Sequence, residues 1–163
     1  MIIKTVVVGE LETNCYLVAS DVTKEALIID PGDDAEKIIK VIETEKLKPM
    51  LIVNTHTHFD HVGANRELSK KYGIKLALEN SETIRAGELE FKVIRTPGHS
   101  EESICLYRHG VLFSGDTMFA SDYGRTDLPG GSEKEMTESL EKLLKLPPET
   151  KVYPGHGRST TIA

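Results

Sequence analysis

Four residues with metal-binding side chains lie within six consecutive positions of the chain. They form the pattern H-x-H-x-D-H, and they are His56, His58, Asp60 and His61. The strand-like run at 51–54 ends just before them, and alternate residues of an extended segment point to the same side. We therefore expect the first three side chains to converge, and a helix start near Val62 to turn the fourth towards them. Imidazole and carboxylate groups suit zinc, iron(II) or manganese, so the pattern predicts a metal site.

Three further residues of ligand type share one context, because each follows a strand-like run and lies in a turn that contains glycine. They are His99, Asp116 and His156. Taken singly, each is more often an ordinary surface residue, but loops at strand ends are where α/β folds place functional side chains. With the first cluster they make seven ligands, enough for two ions if Asp116 bridges. The alternative, a set of solvated polar loops, would group titratable side chains at a cost in repulsion or desolvation.

The elements that must position these residues follow from the hydrophobic pattern. Runs rich in β-branched and aromatic residues predict strands at 2–8, 15–19, 26–30, 50–54, 75–78, 91–95, 104–108, 111–114 and 151–153. Helical patterns cover 33–47, 62–72 and 132–146. The last begins with a capping box, Ser132 and Glu135, and its apolar face consists of Met136, Leu140, Leu143 and Leu144. We expect one α/β domain over residues 1–163, with helices on the outer faces of the sheets.

Composition excludes several classes of protein. The chain has 163 residues and a net charge of −6, and an acidic chain without a basic cluster binds nucleic acid poorly. No apolar run approaches the about 20 residues of a membrane-spanning helix, and the first residues lack the pattern of a secretory signal. Without a CxxC pair, Cys15 and Cys105 are expected to be buried thiols of a cytoplasmic protein. Abundant Glu and Lys and the absence of Gln and Trp suggest a thermophilic source.

The order and spacing of the seven ligands resemble those of the metallo-β-lactamase fold superfamily, and the similarity extends to the segment 14–18 and the turn 29–32. It implies an α/β fold, a four-layer αββα sandwich of two mixed β-sheets, with two divalent metal ions at one edge. Carried over residue by residue, it assigns His56, His58 and His99 to the first ion, Asp60, His61 and His156 to the second, and Asp116 to both. Asp30 matches an aspartate at a strand end in that family and is expected to orient the ligand loop. An ordinary Asp-Pro-Gly turn is the alternative.

Within the superfamily, the segments 115–119 and 124–131 are similar to the glyoxalase II (hydroxyacylglutathione hydrolase) group. This similarity implies a binuclear hydrolase in which a metal-bound hydroxide attacks a small thioester or ester, with zinc as the first choice of metal and iron or manganese as alternatives. The C-terminal helical domain that helps glyoxalase II members to hold glutathione is expected to be absent, since seven residues follow His156. The alternatives are a persulfide dioxygenase with one iron(II) on His56, His99 and Asp116, a lactonase, and a metal-binding domain without activity.

Charge and position assign roles within such a centre. Two divalent ions (+4), two aspartates (−2) and a hydroxide (−1) leave it near +1, so it should attract a small anionic substrate. Asp116 would bridge the ions, and Asp60 would accept or relay a proton. Tyr123 and Arg125 are candidates for substrate contact, although for Arg125 an ion pair with Asp127 is favoured. We expect no nucleic-acid or membrane partner, and a homodimer is one way to wall so small a site.

Overall fold

The structure is a computed structural model that describes residues 1–78 and 80–163. Its backbone divides into two compact units, Met1–Glu90 and Phe91–Ala163. Both contain parallel as well as antiparallel strand pairs, together with helices. Within the described ranges, none of the helices has the length and apolar character needed to cross a bilayer.

In the first unit five strands lie in the order β1-β2-β3-β4-β5. They are β1 (Ile2–Val8), β2 (Thr13–Ala19), β3 (Glu25–Ile29), β4 (Lys48–Val53) and β5 (Lys75–Leu76). The pairs β1–β2 and β2–β3 are antiparallel, whereas β3–β4 and β4–β5 are parallel, because helical crossovers connect the parallel strands. The helices are α1 (Ala35–Thr44), α2 (Phe59–Val62) and α3 (Asn65–Tyr72), and β6 (Thr83–Ala86) follows.

The core of this unit forms where α1 packs on the sheet. Ile38, Ile39 and Ile42 of the helix are buried in one cluster with Leu17 and Ile28 of the strands. Their spacing places them on one face of a helix, and burial of each such side chain contributes about 1.5–3 kcal/mol. The helix predicted over 33–47 is therefore confirmed, with shorter ends.

In the second unit five strands lie in the order β11-β10-β9-β8-β7. They are β7 (Leu89–Arg95), β8 (Ile104–Arg108), β9 (Val111–Gly115), β10 (Lys151–Pro154) and β11 (Thr160–Thr161). β9 and β10 are parallel, and α4 (Glu133–Leu143) connects them. The hydroxyl of Ser132 accepts a hydrogen bond from the backbone N–H of Glu135 at 3.3 Å, so the predicted N-terminal cap is confirmed.

Three local predictions differ from the structure. The helix predicted over 62–72 is two helices, α2 and α3, because the first begins at Phe59 and ends before Gly63. The short strands β6 and β11 carry too few apolar residues to be recognised. Leu144, which was expected on the apolar face of α4, is 58% exposed, because the buried face of the helix consists of Met136, Ser139 and Leu143 and Leu144 points away from it.

Candidate metal centre

The first unit brings the four residues of the H-x-H-x-D-H motif together. The ring centroids of His56 and His58 are 4.7 Å apart, and those of His56 and His61 are 4.1 Å apart. The Oδ2 atom of Asp60 lies 3.4 Å from Nε2 of His61. In each of these three pairs the ligand atoms lie within 4.8 Å of each other, which is close enough for both to hold the same ion.

The path of the backbone explains this convergence. The chain leaves β4 at Val53, is extended at His58 (φ −60°, ψ 147°) and enters α2 at Phe59. The expectations of an extended Asp60 and of a helix start near Val62 are therefore wrong, since the helix begins before both residues. Successive helical side chains are rotated by about 100°, so one turn of helix directs the last two ligands of the motif towards the first two.

A buried carboxylate, Asp30, contacts this segment from the end of β3. Its Oδ1 accepts a hydrogen bond from the backbone N–H of Thr55 at 2.7 Å, and its Oδ2 accepts one from the Thr55 hydroxyl at 2.6 Å. The same Oδ2 lies 3.0 Å from Nδ1 of His61, so the Nε2 atom of that ring is the one near Asp60. These are the contacts expected of a residue that orients a ligand loop.

The turn at 30–32 packs against α2 at backbone distance. A Cβ atom on Gly32 would lie 1.6 Å from the backbone oxygen of Asp60, so only glycine permits this approach. The N–H of Ala64 donates to the carbonyl of Pro31 at 2.9 Å and holds the two segments together. The Asp-Pro-Gly sequence therefore does more than reverse the chain, since it fixes the helix that carries two of the candidate ligands, Asp60 and His61.

Two supporting side chains escape sequence reasoning. The hydroxyl of Thr13 donates to Oδ2 of Asp60 at 3.1 Å, and the side-chain amide of Asn54 donates to the carbonyl of His61 at 3.0 Å. Asn54 adjoins the motif, so its position at the end of β4 is a signal that could have found it. Thr13 is 47 residues from Asp60, and no local pattern indicates their contact.

In the second unit two imidazoles approach one carboxylate oxygen. Nε2 of His99 lies 3.6 Å from Oδ2 of Asp116, and Nε2 of His156 lies 3.4 Å from the same atom. The side chains of His99 and Asp116 are mostly buried, whereas that of His156 is 28% exposed. The three residues that were predicted to follow strand ends are thus brought together.

Strand direction brings these residues to the same edge of the sheet. Gly115 of β9 pairs with Pro154 of the parallel strand β10, so Asp116 and His156 leave their strands at the same end. β7 and β9 both run antiparallel to β8, so the chain after β7, which carries His99, leaves at that end too. Side chains beyond the carboxyl ends of strands are the usual site-forming residues of α/β sheets.

The loop after Asp116 returns to hold His99. Nδ1 of that ring lies 2.8 Å from the carbonyl oxygen of Arg125, and a hydrogen bond there directs Nε2 towards Asp116. Gly124 permits the return, because a Cβ atom on it would lie 1.9 Å from the backbone oxygen of Asp116.

Tyr123 and Arg125 lie on this loop and contact acidic side chains. The Tyr123 hydroxyl donates to Glu133 at 2.8 Å, and the Arg125 guanidinium donates to both oxygens of Asp127 at 2.7 and 2.8 Å. The hydrogen bonds from Arg125 lower the pKa of Asp127 to about 2, and the bond to Glu133 raises the pKa of Tyr123. The expected pair of Arg125 and Asp127 is confirmed, while substrate contact by Tyr123 or Arg125 stays a prediction.

The two cysteines are core thiols, as expected. Cys15 and Cys105 are both fully buried. Burial raises the pKa of Cys105 to about 11, and burial raises that of Cys15 well above its usual range. A neutral thiol is a weak nucleophile, so neither residue has the properties of a reacting group.

The two clusters have the donor chemistry of a divalent metal site. Each offers imidazole nitrogens and carboxylate oxygens without a thiolate, a combination that suits zinc, iron(II) or manganese. Grouped, largely buried carboxylates and imidazoles are stabilised when a cation compensates their charge and desolvation. The His and Asp groups of this chain therefore fit divalent metal ions.

Comparison with known sequences is consistent with this chemistry. The sequence profile of the metallo-beta-lactamase superfamily matches residues 8–89 and 78–156, so it includes both clusters. Hydroxyacylglutathione hydrolase GloC of Haemophilus influenzae is 30% identical over 99% of this chain and 93% of its own length.

Two solved structures share the fold over almost the whole chain. BLEG-1 B3 metallo-beta-lactamase matches with a TM-score of 0.94 and 35% identity, over 99% of this chain and 94% of that one. TTHA1623 in a di-iron-bound form matches with a TM-score of 0.89 and 34% identity, over 98% of this chain and 94% of that one. The predicted α/β fold with two mixed sheets is confirmed, and the chain belongs to the metallo-beta-lactamase superfamily.

Proposed function

We propose that this protein is a binuclear metal-dependent hydrolase that cleaves a small thioester or ester. The match of the metallo-beta-lactamase superfamily profile to the segments that carry both clusters supports metal-dependent hydrolysis. The similarity to hydroxyacylglutathione hydrolase GloC supports a thioester as the substrate class. The glyoxalase II-like segments 115–119 and 124–131 point to the same class.

The observation that carries the proposal is the position of Asp116. Its Oδ2 lies 3.6 Å from Nε2 of His99 and 3.4 Å from Nε2 of His156. The family resemblance assigns these two histidines to different ions, so a carboxylate near both is suited to bridge the ions.

When bound, divalent ions lower the pKa of water to about 7 and polarise a carbonyl, which supplies the nucleophile and the electrophile for hydrolysis. The contribution of the chain is to position the ligands and to move a proton. Asp60 is the candidate for proton transfer, and the Thr13 hydroxyl, 3.1 Å from its Oδ2, orients that carboxylate. Asp116 would place one carboxylate oxygen near the imidazoles of both His99 and His156.

Elemental analysis of the protein purified without added metal tests this proposal first, followed by hydrolysis of a panel of thioesters, esters and lactones. We expect close to two divalent ions per chain and turnover of thioesters. His156→Ala should lose mainly one of the two ions. His109→Asn is the matched control, because His109 is an exposed turn residue between β8 and β9 with a φ of 36°, which asparagine tolerates.

Other outcomes select the alternatives. One iron per chain, with oxygen consumption in the presence of a persulfide, would establish the dioxygenase instead. Lactone turnover without thioester turnover would establish the lactonase. Stable metal binding without turnover of any of these substrates would favour a metal-binding domain without enzymatic activity.

The finer expectations are part of the same proposal. We propose zinc as the resident metal, because it accepts mixed imidazole and carboxylate ligands and also a leaving thiolate. A reducing cytoplasm suits a protein with two free buried cysteines.

A thermophilic source predicts a melting midpoint above the ordinary range of about 45–65 °C. Neither nucleic acid nor membrane is proposed as a partner, and a homodimer would be visible as twice the mass in solution.

A further inference from the structure

A cavity lies beside Asp60 in the first unit. Its volume is about 560 Å³, within the range of about 300–1,000 Å³ that is typical of small-molecule sites. It is formed by the β1–β2 hairpin, the turn after Pro31 and the first turn of α2. Because Asp60 lines it, the cavity adjoins a carboxylate that the proposed reaction uses.

The walls of this cavity are held in place by two hydrogen bonds and one close backbone contact. The N–H of Gly9 in the hairpin donates to Oδ2 of Asp34 at 2.9 Å. Thr13, at the other end of the hairpin, donates to Asp60 at 3.1 Å. The close packing of Gly32 on the Asp60 backbone forms a third connection. The cavity is therefore largely preformed, which lowers the ordering cost of binding.

The chemistry of the walls is apolar and acidic. Leu11 and Phe59 line the cavity and are 53% and 77% exposed, so apolar surface remains in contact with solvent. Glu10, Asp33 and Asp60 add three carboxylates, and the described lining residues include no lysine or arginine. The basic residue Lys37 is nearby, but it does not line the cavity, and its ammonium group donates to the backbone carbonyl of Val7.

We propose that this cavity binds the tail of the substrate and selects uncharged apolar tails over tails that carry a carboxylate. Phe59 and Leu11 would cover an acyl or alkyl chain, while Glu10 and Asp33 would repel an anion. The inference rests on the proposed function, because it deepens the substrate class of the same centre. The two ends of the substrate would then meet opposite charges. The reacting group would lie at a metal centre with a charge near +1, whereas the tail would lie against an acidic wall.

Binding of two thioether probes to the zinc-loaded protein tests this inference without turnover. The probes are S-pentyl-N-acetylcysteamine and its carboxybutyl counterpart, which differ in the charge of the tail. The amide signals of Gly9, Gly32 and Gly63, which line the cavity, report binding by NMR. We expect the pentyl probe to shift these signals and to bind about tenfold more tightly than the carboxybutyl probe at low salt.

Variants separate the contributions of charge and apolar contact. Glu10→Gln should reduce the preference from about tenfold to about threefold, and added salt should reduce it further. Glu12→Gln is the matched control, because Glu12 lies in the same hairpin but does not line the cavity, and it should leave the preference unchanged. Phe59→Ala should weaken the pentyl probe about fivefold, with metal content unchanged.

Equal affinity for the two probes, or shifts confined to other parts of the chain, would overturn the inference. Hydrolysis of thioesters that carry the same pentyl and carboxybutyl tails distinguishes failure of the cavity assignment from failure of the proposed function. Hydrolysis without a preference between the two tails refutes the cavity assignment alone. Selective binding at the three glycines without hydrolysis of either thioester refutes the proposed reaction but leaves the cavity assignment in place.

Discussion

The two ligand clusters are built in opposite ways. In Met1–Glu90 all four candidate ligands come from one stretch of six residues, 56–61, whereas in Phe91–Ala163 the three candidate ligands follow the ends of three strands. The first cluster needs one correct local conformation. The second exists only when the register and direction of β7, β9 and β10 are correct.

The contacts that orient the histidines also differ between the two clusters. His61 is held by the side chain of Asp30, at 3.0 Å, whereas His99 is held by the backbone carbonyl of Arg125, at 2.8 Å. A side-chain substitution can remove the first support but not the second. We therefore expect single substitutions to affect the two regions unequally.

The largest effect is expected from Asp116→Ala, which removes the carboxylate that approaches two histidines. Both metal ions should be lost, because neither His99 nor His156 keeps the shared oxygen. His156→Ala should reduce the content only from about two ions to about one. Elemental analysis of the purified variants measures both results, and full retention of metal in Asp116→Ala would refute the bridge.

Among substitutions that retain all seven candidate ligand residues, we expect Gly32→Ala to lower the free energy of unfolding most. The new Cβ atom would lie 1.6 Å from the backbone oxygen of Asp60, so α2 must move, and we expect a loss of about 3 kcal/mol in the free energy of unfolding. Gly73→Ala is the control, because Gly73 has a φ of 64° but no atom within 4 Å of a new Cβ. It should lose about 1 kcal/mol, from backbone strain alone.

Urea denaturation of the two glycine variants measures this difference. Equal losses would show that the close approach of the turn to α2 does not matter, and that only backbone conformation does.

Asp30→Asn should weaken metal binding by about 10- to 100-fold. The amide keeps the size of the side chain but loses the charge beside Nδ1 of His61, so the imidazole becomes a weaker and less well oriented ligand. Competition with a chromogenic chelator measures the affinity. An unchanged affinity would mean that Asp30 stabilises only the Asp-Pro-Gly turn and does not orient the candidate ligand His61.

Arg125→Ala is expected to leave metal affinity unchanged, which makes it the counterpart of Asp30→Asn in the second unit. The carbonyl that holds His99 remains, and the exposed pair with Asp127 contributes little to stability. A tenfold loss of affinity in the same chelator assay would show that the guanidinium, rather than the backbone, supports this cluster.

The same variant makes a smaller prediction about pH. In the native protein the pKa of Asp127 is lowered to about 2 from 3.8, so the pair stabilises the fold above pH 3.8, and this stabilisation is lost as the pH falls towards 2. In Arg125→Ala the pKa should return towards 3.8, as measured by NMR titration of the carboxyl group. A pKa that stays near 2 would assign the shift to the backbone of the loop.

The smallest effect concerns the buried thiols. Because burial raises the pKa of Cys15 well above its usual range and that of Cys105 to about 11, neither cysteine should react appreciably with a thiol reagent at pH 8 until the protein is denatured. The raised pKa of Cys105 also predicts that the contribution of its neutral thiol to the free energy of unfolding is fully present below pH 9 and decreases between pH 9 and 11. Rapid labelling of a native cysteine would contradict the burial of that residue.

Local sequence was sufficient for the features that depend on neighbouring residues. The cap of α4 at Ser132 and the identity of the six residues 56–61 as a ligand motif are examples, because a cap or a short motif needs only a few adjacent positions. The start of α2 at Phe59 was not predicted, because the apolar pattern there is weak and the turn at 30–32 decides where the helix can lie.

The sequence by itself determined which residue types are available to a metal, and it placed His99, Asp116 and His156 after strands. Only the tertiary structure decided that both histidines approach the same oxygen of Asp116, that Gly32 lies against the backbone of Asp60, and that Thr13 donates to that carboxylate. The physical reason is distance along the chain: Thr13 and Asp60 are 47 residues apart. Their contact depends on the pairing of whole strands and on the packing of the turn against α2, which no local pattern encodes.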